Sequence, residues 1–143
     1  MINFTDCDRV SDMKKIKIGK VIKPSNANPW PHEERLADIL SKAGHTVEFI
    51  PEHTISGSPD VYIDGVRYEM KSPISDKPNT WEKRLKEAIR AQSNNIIFDT
   101  SRIKNKPDYE VFTWLRKKYK EQPQIKKLIV IDKKGKITID FKR

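Results

Sequence analysis

Three residues, Asp60, Glu69 and Lys71, have the types and spacing to do chemistry together. Two short apolar-rich runs, Asp60 to Ile63 and Val66 to Lys71, flank Asp64-Gly65, the dipeptide that best tolerates the positive φ angles of a type I′ turn. A two-residue turn at that place pairs 63 with 66, 62 with 67, 61 with 68 and 60 with 69, so Asp60 lies directly across from Glu69. Opposed positions bring Cβ atoms to roughly 4.5–5.5 Å, and two carboxylates at that separation weaken a sheet unless something compensates them. A hard divalent cation, Mg²⁺ or Mn²⁺, does so, because it prefers carboxylate and carbonyl oxygens and keeps waters for chemistry. Lys71 follows Glu69 by two residues, so the strand period puts both side chains on that same face while Tyr68 and Met70 point the other way. A cation held by the acids can polarise a phosphate oxygen and acidify a bound water, while the lysine orients that water or offsets charge on the phosphorane. Such a set hydrolyses phosphodiester bonds. The plainer alternative is a salt-bridged polar face, which is what an isolated Glu-x-Lys usually is, and Pro59-Asp60 at the matching offset argues against it.

The elements around this hairpin decide whether its acids can be positioned. Pro31 to Ala43 reads as a helix in which Leu36, Ile39, Leu40 and Ala43 make one apolar stripe and Gly44 supplies the stop. Lys15 to Lys23 is a candidate early strand, with Ile16, Ile18, Val21 and Ile22 as apolar members and a slip near Gly19. Thr46 to Ile50 reads as a strand and 51–58 as a polar loop. After the hairpin, 72–79 carries two prolines and reads as a loop, and Thr80 to Ser93 as a helix with Trp81, Leu85, Ala88, Ile89 and Gln92 along one side, ended by Asn94-Asn95. Ile96 to Asp99 is a compact buried strand, Asp108 to Gln122 a basic helix, and Lys127 to Asp132 with Lys136 to Phe141 a closing hairpin around Lys134-Gly135. The expected class is α/β, a mixed sheet flanked by helices.

With 143 residues, the chain fits one domain with one core. Its single cysteine, Cys7, cannot form an internal disulfide, no Cys/His cluster has zinc-ligand spacing, and a reducing environment is expected. No apolar run approaches the ~18 residues that cross a bilayer, and residues 1–15 lack the apolar middle of a signal peptide. The net charge is +9, and all of the excess sits late: residues 1–101 hold 15 Lys/Arg and 15 Asp/Glu, whereas residues 102–143 hold 14 and 5. A neutral body with a basic end suits a polyanion such as nucleic acid, with Lys104, Lys106, Lys117, Lys118 and Lys120 as phosphate contacts; a solvated lysine-rich surface has the same composition.

Pro59-Asp60, eight intervening residues and Glu69-Met70-Lys71 resemble the PD-(D/E)xK signature of restriction-endonuclease-like nucleases. More narrowly, His32-Glu33, Leu36-Ala37, Gly44, Val47 to Ile50, Pro59-Asp60, Gly65, Glu69 to Pro73, Gln92-Ser93 and Asn95 to Ile97 resemble the C-terminal tRNase domain of CdiA-type contact-dependent-inhibition toxins. Related domains occur in mobile-element proteins. The similarity spans about residues 30–140, which implies a restriction-endonuclease-like nuclease domain over 30–143 behind a lead-in at 1–29. It implies that Asp60 and Glu69, with the backbone carbonyl of Met70, ligate Mg²⁺ or Mn²⁺. Lys71 would be the catalytic lysine and Glu33 the acidic residue of the first helix. It also implies a tRNA substrate, action in the cytoplasm of a target cell, and a cognate immunity protein, acidic where it meets the basic surface.

Glu34 rivals Glu33, since carboxylates in a first turn also simply favour the helix dipole. Gln92, at the family's matching glutamine, is placed to reach nucleic acid or to bound an apolar stripe. His32 has no partner at metal-binding spacing and reads as an ordinary helix-start residue, and His45 and His53 receive no role. Trp81 and Trp114 suit packing, whereas Trp30, flanked by prolines, is open to either packing or base stacking. Nothing in the residues separates an RNA from a DNA backbone, and a basic binding module with a structural hairpin is the rival from another class.

Overall fold

The computed structural model describes residues 18–51, 60–91 and 93–143. Along them run β1 (Val21–Ile22), α1 (Pro31–Lys42), β2 (Val47–Phe49), β3 (Asp60–Ile63), β4 (Val66–Lys71), α2 (Pro78–Arg90), β5 (Asn95–Asp99), α3 (Asp108–Glu121), β6 (Lys127–Ile131) and β7 (Ile137–Lys142). The strands form one mixed sheet in sequence order. β4, β5 and β6 are parallel neighbours, as are β1 and β2, and the other pairs are antiparallel. Helices cover both faces. Leu36, Ala37 and Leu40 of α1 pack with Val61, Tyr68, Met70, Ile97 and Ile129, while Trp81 and Leu85 of α2 and Val111 and Leu115 of α3 pack with Ile96, Phe98 and Leu128. Ile96 and Ile97 thus feed opposite cores, as the period of two requires, and the expected mixed sheet between helices is what forms. Among the described residues no helix is long and apolar enough to cross a membrane.

The boundaries of α1 follow from its sequence. Pro31 fills the first helical position, where a missing N–H costs nothing, and Glu33 and Glu34 lie in the first turn. At the far end Gly44 takes φ 100°. Its N–H reaches the Ser41 carbonyl at 3.0 Å and the next N–H, of His45, reaches Leu40 at 3.0 Å, the two bonds of a Schellman stop. The same proline logic corrects the expected start of α2: Pro78 opens the helix instead of closing a loop, so the element runs Pro78–Arg90 and not 80–93.

The early strand shrinks, within the described residues, to Val21–Ile22, and both side chains are exposed. Residues 15–17 of the expected strand lie outside the described residues, and Ile18, Val21 and Ile22 are exposed and no core signal; the strand is held by pairing, with the Val47 N–H on the Lys20 carbonyl at 2.8 Å. Gly19 explains the slip in alternation, because a Cβ there would stand 1.7 Å from the His45 carbonyl oxygen.

The β3–β4 hairpin has the expected register: Asp60 opposite Glu69, Val61 opposite Tyr68, Tyr62 opposite Arg67 and Ile63 opposite Val66. Asp64 and Gly65 take φ values of 52° and 83°, so both turn residues are left-handed, as a type I′ turn demands. The Asp64 carboxylate also ties the turn to β2, accepting from the Thr46 N–H at 2.9 Å and meeting His45 Nδ1 at 2.7 Å.

Two outcomes follow. Gly65→Val places a branched side chain at positive φ and lowers stability by about 1–2 kcal/mol in urea titration. The hydrogen bond from His45, then that from Thr46, hold the Asp64 carboxyl below its ordinary 3.8. Its folded value being depressed, Asp64 contributes stability that is present above 3.8 and lost as the pH falls through the lower folded value. Asp64→Asn, which still tolerates the turn, removes this component, so its urea midpoint falls less steeply than wild type over that acid range.

Candidate active site

The face of the hairpin that carries Asp60 also carries Tyr62, Arg67, Glu69 and Lys71. Towards the turn this face is open to solvent, and towards the carboxyl end of β4 it slides under α2. Glu69 and Lys71 are accordingly buried, at 4% and 5% exposure. Lys71 Nζ lies 3.2 Å from Glu69 Oε1 and 3.6 Å from Oε2 of Glu87 on α2, so one ammonium bridges the sheet and the helix above it. The second Glu69 oxygen, Oε2, is buried and has no hydrogen-bond partner among the described residues. The Asp60 side chain, 20% exposed, is paired with Arg67 of the same face, and that bond and charge push the guanidinium up from its ordinary value.

The repulsion expected between the opposed acids is therefore offset by two side-chain cations, one for each carboxylate. Arg67 is the partner that sequence reasoning missed, although its even offset from Glu69 placed it on the right face. Among the described residues no three His, Cys, Asp or Glu side chains are gathered closely enough to hold a metal ion by themselves. Asp60 and Glu69 do offer opposed oxygen donors, and Glu69 Oε2, buried and lacking a donor, suits a cation. The Met70 side chain is buried on the opposite face, against α1.

Glu33 reaches this region from α1 and is 3% exposed. Its Oε1 accepts the Trp30 N–H at 2.7 Å, the reach-back half of a capping box; Trp30 has no side-chain oxygen to return the other half. Glu33 Oε2 stands 4.0 Å from His32 Nε2. Glu34 turns outward to Lys23 at 2.7 Å, which separates the two rivals for the helix position. Glu33 shares a small pocket with Asp60, Asn28 and Ile50, and it also borders a cleft of about 800 Å³ whose walls include Lys71, Arg84, Glu87 and Arg102.

Arg84, Glu87 and Arg102 were not singled out from the sequence. Arg84 and Glu87 are one helical turn apart on α2, with Arg84 Nη1 3.1 Å from Glu87 Oε2. Burial opposes ionisation of Glu87 most strongly, but the hydrogen bond from Arg84 with the charges of Arg84, Lys71 and Lys83 prevails and holds the carboxyl below its ordinary value. Arg102 Nη1 donates to the Ser72 carbonyl at 3.2 Å and lies 3.3 Å from His32 Nε2. Burial first, then Arg102, lowers the His32 pKa against the opposing pull of Asp99. His32, read from sequence as an ordinary helix start, thus stands in the cleft wall.

The lysines chosen as phosphate contacts lie elsewhere, and none borders this cleft. Lys118 meets Glu82 at 3.1 Å and Glu121 at 3.5 Å and sits over the Trp114 ring; Lys117 meets Glu121 at 3.8 Å and Lys106 meets Glu110 at 3.4 Å. Lys104 and Lys120 are exposed. Trp81 and Trp114 pack edge to face at 5.5 Å, as expected for core aromatics. Gln92 and Pro59 lie outside the described residues.

Among the described residues the architecture, a mixed seven-stranded sheet with one helix on one face and two on the other, has a solved counterpart. A chain of the "CdiA-CT/CdiI toxin and immunity complex from Burkholderia pseudomallei" superposes with a TM-score of 0.63 at 21% identity, covering 86% of this chain and 99% of that one, so the two share a fold. Residues 57–137, which contain β3, β4 and most of the cleft, match the model of the contact-dependent growth inhibition CdiA C-terminal domain. The chain belongs to that family and is a toxin domain of contact-dependent growth inhibition. No curated protein sequence matches it.

Glu33 both caps α1 and borders the cleft, and two variants separate those roles. Glu33→Ala removes the acceptor for Trp30 and lowers stability by about 1 kcal/mol in urea titration. Glu33→Gln keeps an acceptor oxygen for Trp30 and leaves the midpoint close to wild type, which separates the loss of the cap from the loss of the charge beside the cleft.

Proposed function

We propose that this domain is a metal-dependent endonuclease of the PD-(D/E)xK kind that hydrolyses phosphodiester bonds, with tRNA as its substrate. The observation that carries the reading is the opposition of Asp60 and Glu69 across β3 and β4 with Lys71 beside them on one face. In this reading Asp60, Glu69 and the Met70 carbonyl hold Mg²⁺ or Mn²⁺, with Asp60 released by Arg67, whose side chain is 64% exposed and so costs little to displace. Bound there, the ion would supply Lewis acidity at a phosphate oxygen and would make a nearby water easier to deprotonate.

The residues of the chain do the rest. Lys71, fixed by Glu69 and Glu87, keeps its ammonium directed where negative charge builds on the non-bridging phosphate oxygens. Glu33, anchored through its other oxygen to Trp30, presents a carboxylate that can take a proton from the attacking water. Arg84 and Arg102 border the cleft where the flanking phosphates would lie. The tRNA substrate rests on the resemblance of the family motif and on the basic charge of the chain. A cognate immunity protein is part of the same proposal, since the solved relative is a toxin and immunity complex. Its action would be in the cytoplasm of the target cell.

Gel analysis of cellular tRNA and of duplex DNA, each with Mg²⁺ or EDTA, tests substrate, metal and site together. Wild type cleaves tRNA with Mg²⁺ only, and Lys71→Ala or Asp60→Ala lowers the rate by about 10²–10³-fold. Cleavage of DNA alone would end the tRNA assignment. Turnover untouched by EDTA and by both substitutions would leave a binding module.

A further inference from the structure

The cleft has a second character that the acidic hairpin does not explain: two large apolar side chains stand in its walls with most of their surface in solvent. Trp30 is 64% exposed and Ile74 is 62% exposed, and both border the same space. The other tryptophans are committed to the core, where Trp81 is 1% exposed and meets Trp114. An exposed tryptophan is costly to leave in water, and a mobile one can hide by lying on the surface.

Trp30 is held by its backbone. Its N–H is bound by Glu33 Oε1 at 2.7 Å, its carbonyl accepts from the Glu33 and Glu34 N–H groups at 2.9 and 3.0 Å, and Pro31 follows it. The Ile74 arm is pinned on both sides as well. Arg102 donates to the Ser72 carbonyl at 3.2 Å, and Trp81 Nε1 donates to the Ser75 carbonyl at 2.7 Å. Two apolar side chains on anchored backbone thus border a cleft of about 800 Å³, a volume in the range of small-ligand sites.

The remaining wall sets the charge of the occupant. Arg102 directs its hydrogen bonds to a carbonyl and to the His32 ring, neither of which is an anion, so the guanidinium keeps its positive charge to offer a ligand. The two carboxylates of the cleft wall, Glu33 and Glu87, are outnumbered by the three cations Lys71, Arg84 and Arg102. A flat apolar group carrying an anion fits these walls, and an unpaired nucleotide is that combination.

Resting on the nuclease reading, we propose that the cleft takes an unstacked, single-stranded nucleotide, its base against Trp30 and Ile74 and its phosphate at Arg102, so that the substrate is an unpaired segment of RNA and not a helical stem. A paired base cannot offer its face to an indole without leaving its stack, and the arms select for strands where that cost is already absent.

The test is binding in EDTA, where no cleavage occurs. The probes are a ten-nucleotide RNA carrying one 2-aminopurine, the same strand annealed to its complement, and a ten-residue polyglutamate, each followed by fluorescence with wild type, Trp30→Ala, Trp30→Phe and Ile74→Ser. The single strand is expected to bind at least about tenfold more tightly than the duplex. Trp30→Ala should weaken it by about tenfold, Ile74→Ser should weaken it in the same direction, and Trp30→Phe should keep it within about twofold of wild type. Duplex binding equal to or tighter than single-strand binding, an unchanged Trp30→Ala, equal binding of polyglutamate or no binding at all overturns the proposal. Adding Mg²⁺ then separates the two readings. If this binding pattern holds but no strand is cut, the nuclease reading fails and the nucleotide subsite stands.

Discussion

Everything in the site hangs on how β3 is registered against β4. A slip of one residue would drive Glu69 and Lys71 into the apolar layer beneath α1 and bring Tyr68 and Met70 onto the charged face. Three separate influences hold the register. The turn admits two left-handed residues and no more, Asp64 ties it to β2 through His45 and Thr46, and Val61, Ile63, Tyr68 and Met70 all have a core to fill on the far side. Local turn chemistry and distant packing select the same pairing, which is what makes one arrangement stable enough to carry a site.

Within that frame the charges are arranged at some cost. An ammonium and a carboxylate that are each about 95% buried forfeit most of their hydration, and their attraction offsets this only when the geometry is good and neighbours complete the set. Lys71 meets this condition by drawing carboxylates from two layers, Glu69 in the sheet and Glu87 on α2. The parallel pairing of β4 with β5, which puts Lys71 beside Phe98, keeps the apolar core continuous right up to the ion pair. Asp60, by contrast, sits where water still reaches it and is balanced by an exposed arginine. The buried acid and the accessible one therefore differ in how readily each can change partner.

What could be read from the chain follows from how local the signal was. The hairpin was legible to the residue because a two-residue turn leaves a single register, and α1 was legible because Pro31 and Gly44 are physical start and stop marks. Pro78 was misread by the same rule applied one step too simply: a proline after a loop can as well open a helix. Arg84, Glu87 and Arg102 were invisible, since they reach the cleft only through the packing of α2 and of the segment after β5 against the end of β4. The basic last third has the composition read from the chain, but several of its lysines are paired with acids. Lys106, Lys117 and Lys118 each have an acid three or four residues further along the chain, a spacing that was there to be seen.

Glu33 belongs to α1 and borders a cleft whose lysine belongs to the sheet, yet one of its oxygens is spent on the first turn of its own helix. Fraying of that turn would swing the carboxylate away while the strands stayed paired. In the proposed nuclease, loosening a few residues next to Pro31 would then remove the helix-borne acid from the cleft with the core intact, and a ligand that grips the beginning of α1 would disarm it without unfolding it.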